Sequence, residues 1–454
     1  MEVKSIKFNT AIENKAWALF LAAPIAALVG VLSAISPAYV LVFVGFATAA
    51  ILIAFFPEIA FAALFYIGVI KSNESIVAAV PFDLTLATFL IAAYILTTRF
   101  LVKKRREFPI DLFLMLALLQ VAYLLISANF ISPDTGSAMR NTMRFAVFNL
   151  FFLWGMLLLA GEPVRIYRTI VAVMIIGILQ VLTFYTNLAF FREKLFIRTV
   201  WRATATAIGE DYIGFGLIAS QTALFLLAIG FTEKTKIKKI IYITIGIIVS
   251  PAIIASASRG AVFSFIVGMI TLLYCFNRFK LKKEMRQFIV VLTIIIAISI
   301  SIFGFLIAMK LGVSRILFIH GTKTIFSRIE KMHLALMIFS AHPIFGAGVA
   351  SFKPLTEQAY PHNIILEILC ELGMVGFILF ALQALLLLGF IKRIFSLPQM
   401  PNLYGILSLV GLVVFFTDSL FSGDISANRE IWFYAGAIYA LHHSYSKHDL
   451  RKAH

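Results

Sequence analysis

The chain is short of charge, short of cysteine and devoid of the common cofactor motifs. Of its 454 residues only 13% are charged while 61% are hydrophobic, and the mean hydropathy is +0.98. No soluble domain of this size is so apolar, which excludes a soluble enzyme and implies a polytopic membrane protein. The two cysteines, Cys275 and Cys370, both fall inside apolar runs, so neither a disulfide framework nor a zinc site is expected. A Walker loop, a dinucleotide glycine fingerprint, a zinc-type His/Glu helix pair and a nucleophile elbow are all missing. Nucleotide hydrolysis and a bound metal or other cofactor are therefore not expected. Any energy must reside in the substrate, or the protein is a passive carrier.

What the chain does contain is a series of apolar runs. They lie near residues 16–36, 38–56, 57–70, 83–101, 110–128, 143–160, 168–190, 211–231, 239–256, 260–277, 288–309, 362–391, 402–421 and 430–443. The third is short and joined to the second by Pro57-Glu58, so the expected architecture is all-α with 12–14 membrane spans. Lys4, Lys7 and Lys15 precede the first run without a small-residue cleavage site, which reads as an uncleaved anchor. No internal repeat and no soluble domain is visible. The chain divides into a helical scaffold over 1–190, a central part over 191–391 and a C-terminal part over 392–454.

The net charge of +17 is distributed unevenly. Lys103 to Arg106, Arg165 with Arg168, Lys234 to Lys239, Arg278 to Arg286, Lys392-Arg393 and the Lys447 to Lys452 tail all fall on one side if every run crosses. By the positive-inside rule that side is cytoplasmic, together with both termini. The outer loops, 191–210 and 310–361, also carry an excess of cations. Outward-facing arginines suit an anionic ligand such as a diphosphate. Within the second loop Ile325, Ile329, Met332, Leu336 and Phe339 recur at helical spacing. They predict an amphipathic helix, ended by Pro343 and Gly346-Ala-Gly348, that lies on the outer surface and roofs a cavity.

The most unusual stretch follows that loop. Tyr360-Pro361-His362-Asn363 runs directly into an apolar helix bearing Glu367 and Glu371, one turn apart on the face of Asn363. Ionisable groups at the mouth of a membrane helix are costly unless they have a task. His362, with an ordinary pKa near ~6.5, suits proton transfer at neutral pH. A bland alternative makes it a helix-capping residue beside Asn363. Arg259, in the short turn Ser256-Ala-Ser-Arg-Gly-Ala261, could grip a diphosphate in two-pronged fashion or simply snorkel to the interface.

In order, Arg202 with Gly209, Ser258-Arg259-Gly260-Ala261, Pro343-Ile-Phe-Gly346-Ala-Gly348 and Pro361-His362-Asn363-x-x-Leu366-Glu367-x-x-x-Glu371-x-Gly373-x-x-Gly376 resemble the O-antigen ligase and polymerase superfamily. The resemblance spans roughly residues 200–380. It implies a metal-independent membrane glycosyltransferase with a GT-C-like architecture at the outer face of a bacterial cytoplasmic membrane. The donor would be a glycan on undecaprenyl diphosphate, and the acceptor a sugar hydroxyl on a glycan or glycolipid. A polymerase would add a chain-length regulator as partner. Membrane lipids surround it and no nucleic acid is involved.

On that reading His362 and Arg259 are the catalytic candidates. Arg202, Arg198, Arg315, Arg328 and Asn363 would hold diphosphate or glycan, and Glu367 and Glu371 would support them. The competing class is a flippase for lipid-linked oligosaccharide or polysaccharide. It would spread charge through several spans and show an internal repeat, whereas here the charge gathers at the loops.

Overall fold

A computed structural model describes residues 57–71, 85–94 except 87, 111–159, 163–190, 212–278 except 257, 286–292, 321–396 and 403–452 except 423 and 427. The chain separates into two compact units, Met1–Ala60 and Phe61–His454. Of the first, only residues 57–60 are described.

The described secondary structure is helical, with no strand. It comprises α1 (Pro57–Lys71), α2 (Leu112–Phe130), α3 (Thr135–Arg144), α4 (Leu150–Leu159), α5 (Pro163–Phe190), α6 (Tyr212–Thr232) and α7 (Lys236–Ala255). After these come α8 (Arg259–Arg278), α9 (Gly321–Ala341), α10 (Phe352–Thr356), α11 (Ile364–Ser396), α12 (Leu403–Ser419) and α13 (Arg429–Lys452). Seven helical stretches among the described residues are long and apolar enough to cross a membrane. The protein is an all-α, multi-pass membrane protein. The runs expected near 16–36 and 38–56, and most of those near 83–101 and 288–309, lie outside the described residues.

Sequence expectation and structure differ at the start of the sixth run. Helix begins at Thr135, not near 143, because Asp134 accepts the Ser137 N–H at 3.0 Å and caps it. A π-turn over Phe145–Asn149 then joins α3 to α4 in one continuous span. Such turns leave room for a side chain to reach across. Here Asn149 donates through Nδ2 to the Ile425 carbonyl at 3.3 Å.

α6 is the axis of the larger unit, since 94% of its apolar stretch is buried. It packs against α5, α7, α8 and α12. Gly216 lets the turn between α7 and α8 rest on it: a Cβ there would lie 2.4 Å from Ser256 Oγ and 2.7 Å from Ala261 Cβ. Ser220 donates to the Ala261 carbonyl at 3.0 Å and fixes the same turn. Edge-to-face rings, Phe65 with Phe433 at 5.0 Å and with Phe415 at 5.6 Å, bind α1 to α12 and α13.

α11 is broken. It runs from Ile364 to Ser396, yet within it Gly373 has φ 63° and ψ −163°, a conformation open essentially to glycine alone. The polar groups released at the break are taken by the loop after α9. Ala347 and Gly348 donate to the carbonyls of Cys370 and Glu371, each at 2.9 Å. Met374 and Val375 donate to the carbonyls of Pro343 and Ile344 at 2.9 and 3.1 Å. From α2, the Tyr123 hydroxyl lies 2.8 Å from the Phe345 carbonyl and 2.9 Å from that of Leu372. Irregular backbone at membrane depth survives only when its polar groups are satisfied in this manner.

The expected helix of the second loop is α9, and it meets α11 through a face beside the apolar stripe. Ile329 and Leu336 are exposed, while Ala335, flanked by Leu334, Ile338 and Phe339, meets Phe352 and Cys370. The helix is apolar on two faces, and small Ala335 permits the closer approach to α11. Among the described side chains, Phe339 belongs to both the apolar stripe and this contact.

Candidate functional site

The loop and the broken helix together hold the site. Asn363 begins α11: its Oδ1 accepts the N–H groups of Ile365 and Leu366, both at 3.0 Å. Its Nδ2 donates to the Leu420 carbonyl at 3.2 Å. Expected to bind substrate, Asn363 thus has both side-chain polar atoms engaged with backbone. The preceding His362 sits at φ 61°, in the left-handed region, as do Ala350 and Glu357. Three such non-glycine residues in one short segment mark strain of the kind that gathers at functional sites.

His362 meets cations rather than a carboxylate. Lys331 Nζ donates to His362 Nε2 at 3.3 Å, so the imidazole proton belongs on Nδ1, which is buried without a partner among the described residues. Burial, then the charges of Lys331 and Arg328, depress the His362 pKa to about 4. At neutral pH His362 is uncharged. The Tyr360 ring leans on it at 4.3 Å between centroids.

Tyr360 also lines a cavity of about 520 Å³. Asp134, Ser137, Arg140 and Asn141 come to it from the start of α3. Lys353, Glu357 and Tyr360 come from the loop, Glu367 and Glu371 from the first turns of α11, and Asp424 from the link between α12 and α13. Both glutamates are 5% exposed. Glu371 accepts the N–H groups of Ala350 and Phe352 at 2.8 and 3.2 Å, and Glu367 accepts that of Ile425 at 3.2 Å. Each carboxylate therefore positions a stretch of cavity wall while one flank stays open to the cavity.

Arg259 stands at the N-terminus of α8. Ser258 caps that helix, accepting the Ala261 N–H at 3.2 Å, and Arg259 is exposed. Capped helix start and guanidinium together make a favourable place for an anion. Gly260 approaches the end of α12 so closely that a Cβ would lie 2.5 Å from Asp418 Oδ1. The same end of α12 takes the Asn363 bond through Leu420. Arg259 and His362 thus share one end of the helix bundle. Lys234 to Lys239, Arg278 and Lys392-Arg393 occupy the far ends of helices that begin or finish there.

Arg198, Arg202 and Arg315 lie outside the described residues. Arg328 is half-buried on α9 near His362. Sequence reasoning overlooked Asp134, Ser137, Arg140, Asn141 and Asp424. The readable signal was a capped, charge-bearing segment between two apolar runs on the same side as the loops.

This arrangement defines a multi-pass helical membrane protein with a polar site built at one end of its spans. Residues 244–381 match the family model described as O-Antigen ligase, and that match supports a relationship of this segment to the O-antigen ligase and polymerase superfamily. The family supports a glycosyltransferase-like ligase or polymerase role, and implies in general a lipid-linked glycan donor and a glycan acceptor. No curated protein and no solved structure matches the chain. The match covers Arg259, His362, Glu367 and Glu371, whereas Arg140 and Asp424 lie outside it.

The charge around His362 allows a direct test. Replacing Lys331 by methionine removes a like charge, so the His362 pKa should rise from about 4 toward, but not to, its ordinary 6.5. Burial, the larger cause, remains. NMR titration of labelled histidine would read the change, and an unmoved value would mean that Lys331 does not act on the ring. A depressed histidine pKa means the unfolded chain binds the extra proton first. His362 should therefore cost stability as pH falls from about 6.5 to about 4, and Lys331→Met should narrow that window.

Proposed function

We propose that the chain transfers a glycan from undecaprenyl diphosphate to a sugar hydroxyl at the outer face of a bacterial cytoplasmic membrane, as a ligase or polymerase of a surface glycan. The observation that carries this reading is the pairing of two unlike environments that share Tyr360. A cationic one surrounds His362, and a carboxylate-bearing cavity lies beside it. Glycan transfer needs both. The acceptor oxygen forms a bond to the anomeric carbon as the bond to the diphosphate breaks, and the hydroxyl proton must leave.

Arg259, at the capped start of α8, would steady the negative charge on the departing diphosphate, with Lys331 and Arg328 contributing from the loop helix. Arg198, Arg202 and Arg315 are proposed to close on the same anion from the outer loops. Neutral His362 would accept the hydroxyl proton once Lys331 releases Nε2. Glu367 and Glu371 would hold the wall on which the acceptor rests. Donor activation then depends on arginine and lysine, with no metal required.

Purified protein in nanodiscs, given undecaprenyl-diphosphate-linked glycan and a saccharide acceptor, should form a new glycosidic bond and release undecaprenyl diphosphate. The transfer should persist in excess EDTA. Loss of transfer on chelation, restored by Mg²⁺ or Mn²⁺, would contradict the donor mechanism. Movement of intact donor across the bilayer without bond formation would replace the reading by the flippase.

A further inference from the structure

The cavity beside Tyr360 has a charge opposite to that of the loops around it. Among its described lining residues, five carboxylates face two cations. Arg140 and Lys353 are exposed, as are Asp134 and Glu357, so solvent screens both signs there, whereas Glu367 and Glu371 are 5% exposed. Even with both glutamates protonated, the remaining acids, Asp134, Glu357 and Asp424, outnumber the cations. A diphosphate placed there would meet like charge with little compensation.

Shape and donor–acceptor character favour a different ligand. At about 520 Å³ the cavity is of small-molecule size. Its lining residues supply carboxylate oxygens as acceptors for hydroxyl or ammonium protons, the Asn141 amide and Ser137 hydroxyl, and the aromatic Tyr360. We infer that this cavity is the acceptor subsite and that it selects by charge. It takes a sugar that is uncharged or bears an amine, discriminates against uronates and other acidic sugars, and leaves the diphosphate to the cationic side at His362 and Arg259. This inference rests on the glycan-transfer reading and names the substrate that the cavity takes.

Three disaccharides separate the outcomes: one of glucosamine, one of N-acetylglucosamine and one of galacturonate. Binding to the full-length protein in nanodiscs would be followed by saturation-transfer NMR, with undecaprenyl diphosphate binding measured separately. The amine-bearing disaccharide should bind most tightly and the uronate at least about tenfold more weakly, the weight of one uncompensated charge. Ser137→Trp, at the mouth of α3, should weaken all three about tenfold or more by filling the cavity, while diphosphate binding stays within about twofold. Glu357→Lys, at an exposed position, should raise uronate binding relative to the amine.

A uronate that binds best, sugars that do not bind at all, or a Ser137→Trp protein that loses diphosphate while keeping sugars would each overturn the inference. Sugars bound in the stated order by a protein that binds no polyprenyl diphosphate would sink the transfer reading instead, and leave the charge selection standing.

Discussion

Alanine at His362 should cut glycan transfer by about 10²–10⁴-fold, the usual cost of losing a positioned acid or base, while capture of the lipid diphosphate changes little. The imidazole is neutral at working pH, with its pKa near 4 under burial and the charges of Lys331 and Arg328. It therefore contributes no charge to anion binding, and removing it leaves both cations in place. Arg259 should behave in the opposite way. Arg259→Ala should weaken diphosphate capture by about 1.5–3 kcal/mol, the worth of one charge-assisted bond. Arg259→Lys should recover little of that loss, because a point charge lacks the planar fork. Binding and single-turnover transfer, measured separately on each variant, distinguish the roles. A His362→Ala protein that binds poorly but turns over normally at saturation would make His362 a substrate ligand. The proton acceptor would then be sought at Glu371, with Glu371→Gln the deciding variant.

Alanine at Gly373 should destabilise the protein by about 3 kcal/mol or more, the upper part of the range for a strained backbone position. Two causes add. At φ 63° and ψ −163° a side chain is disfavoured in itself, and the new Cβ would lie 2.4 Å from both the Gly346 nitrogen and the Ile344 oxygen. Those neighbours are backbone, held by bonds from Met374 to Pro343 and from Val375 to Ile344, so they have no inexpensive retreat. Gly389 supplies a control on the same helix. Nothing lies within 4 Å of its would-be Cβ, and alanine there should be neutral or stabilising by about 0.5–1 kcal/mol. Thermal unfolding of both variants in one detergent measures the difference. Equal melting temperatures would mean that α11 is not broken at Gly373.

Much of this protein was legible in its sequence, because membrane spans and their punctuation are local properties. A long apolar run dictates a helix wherever it lies, and Asn363 ahead of Ile364 marks where α11 begins. The positions of Arg259 and His362 at helix starts follow from the same reading, as does the glycine pair in the loop after α9. Tertiary structure decided the rest. Periodicity shows that α9 is apolar but not which of two apolar faces meets α11; the close fit of Ala335 against Phe352 and Cys370 settled that. Nothing near Gly373 in sequence announces the break, because the groups that satisfy it come from Pro343 to Gly348 and from Tyr123, some 250 residues away in the chain. The cavity is likewise assembled from Arg140, Tyr360, Glu371 and Asp424, residues with no common motif. Their charges become one electrostatic environment only when the helices that carry them end at the same level.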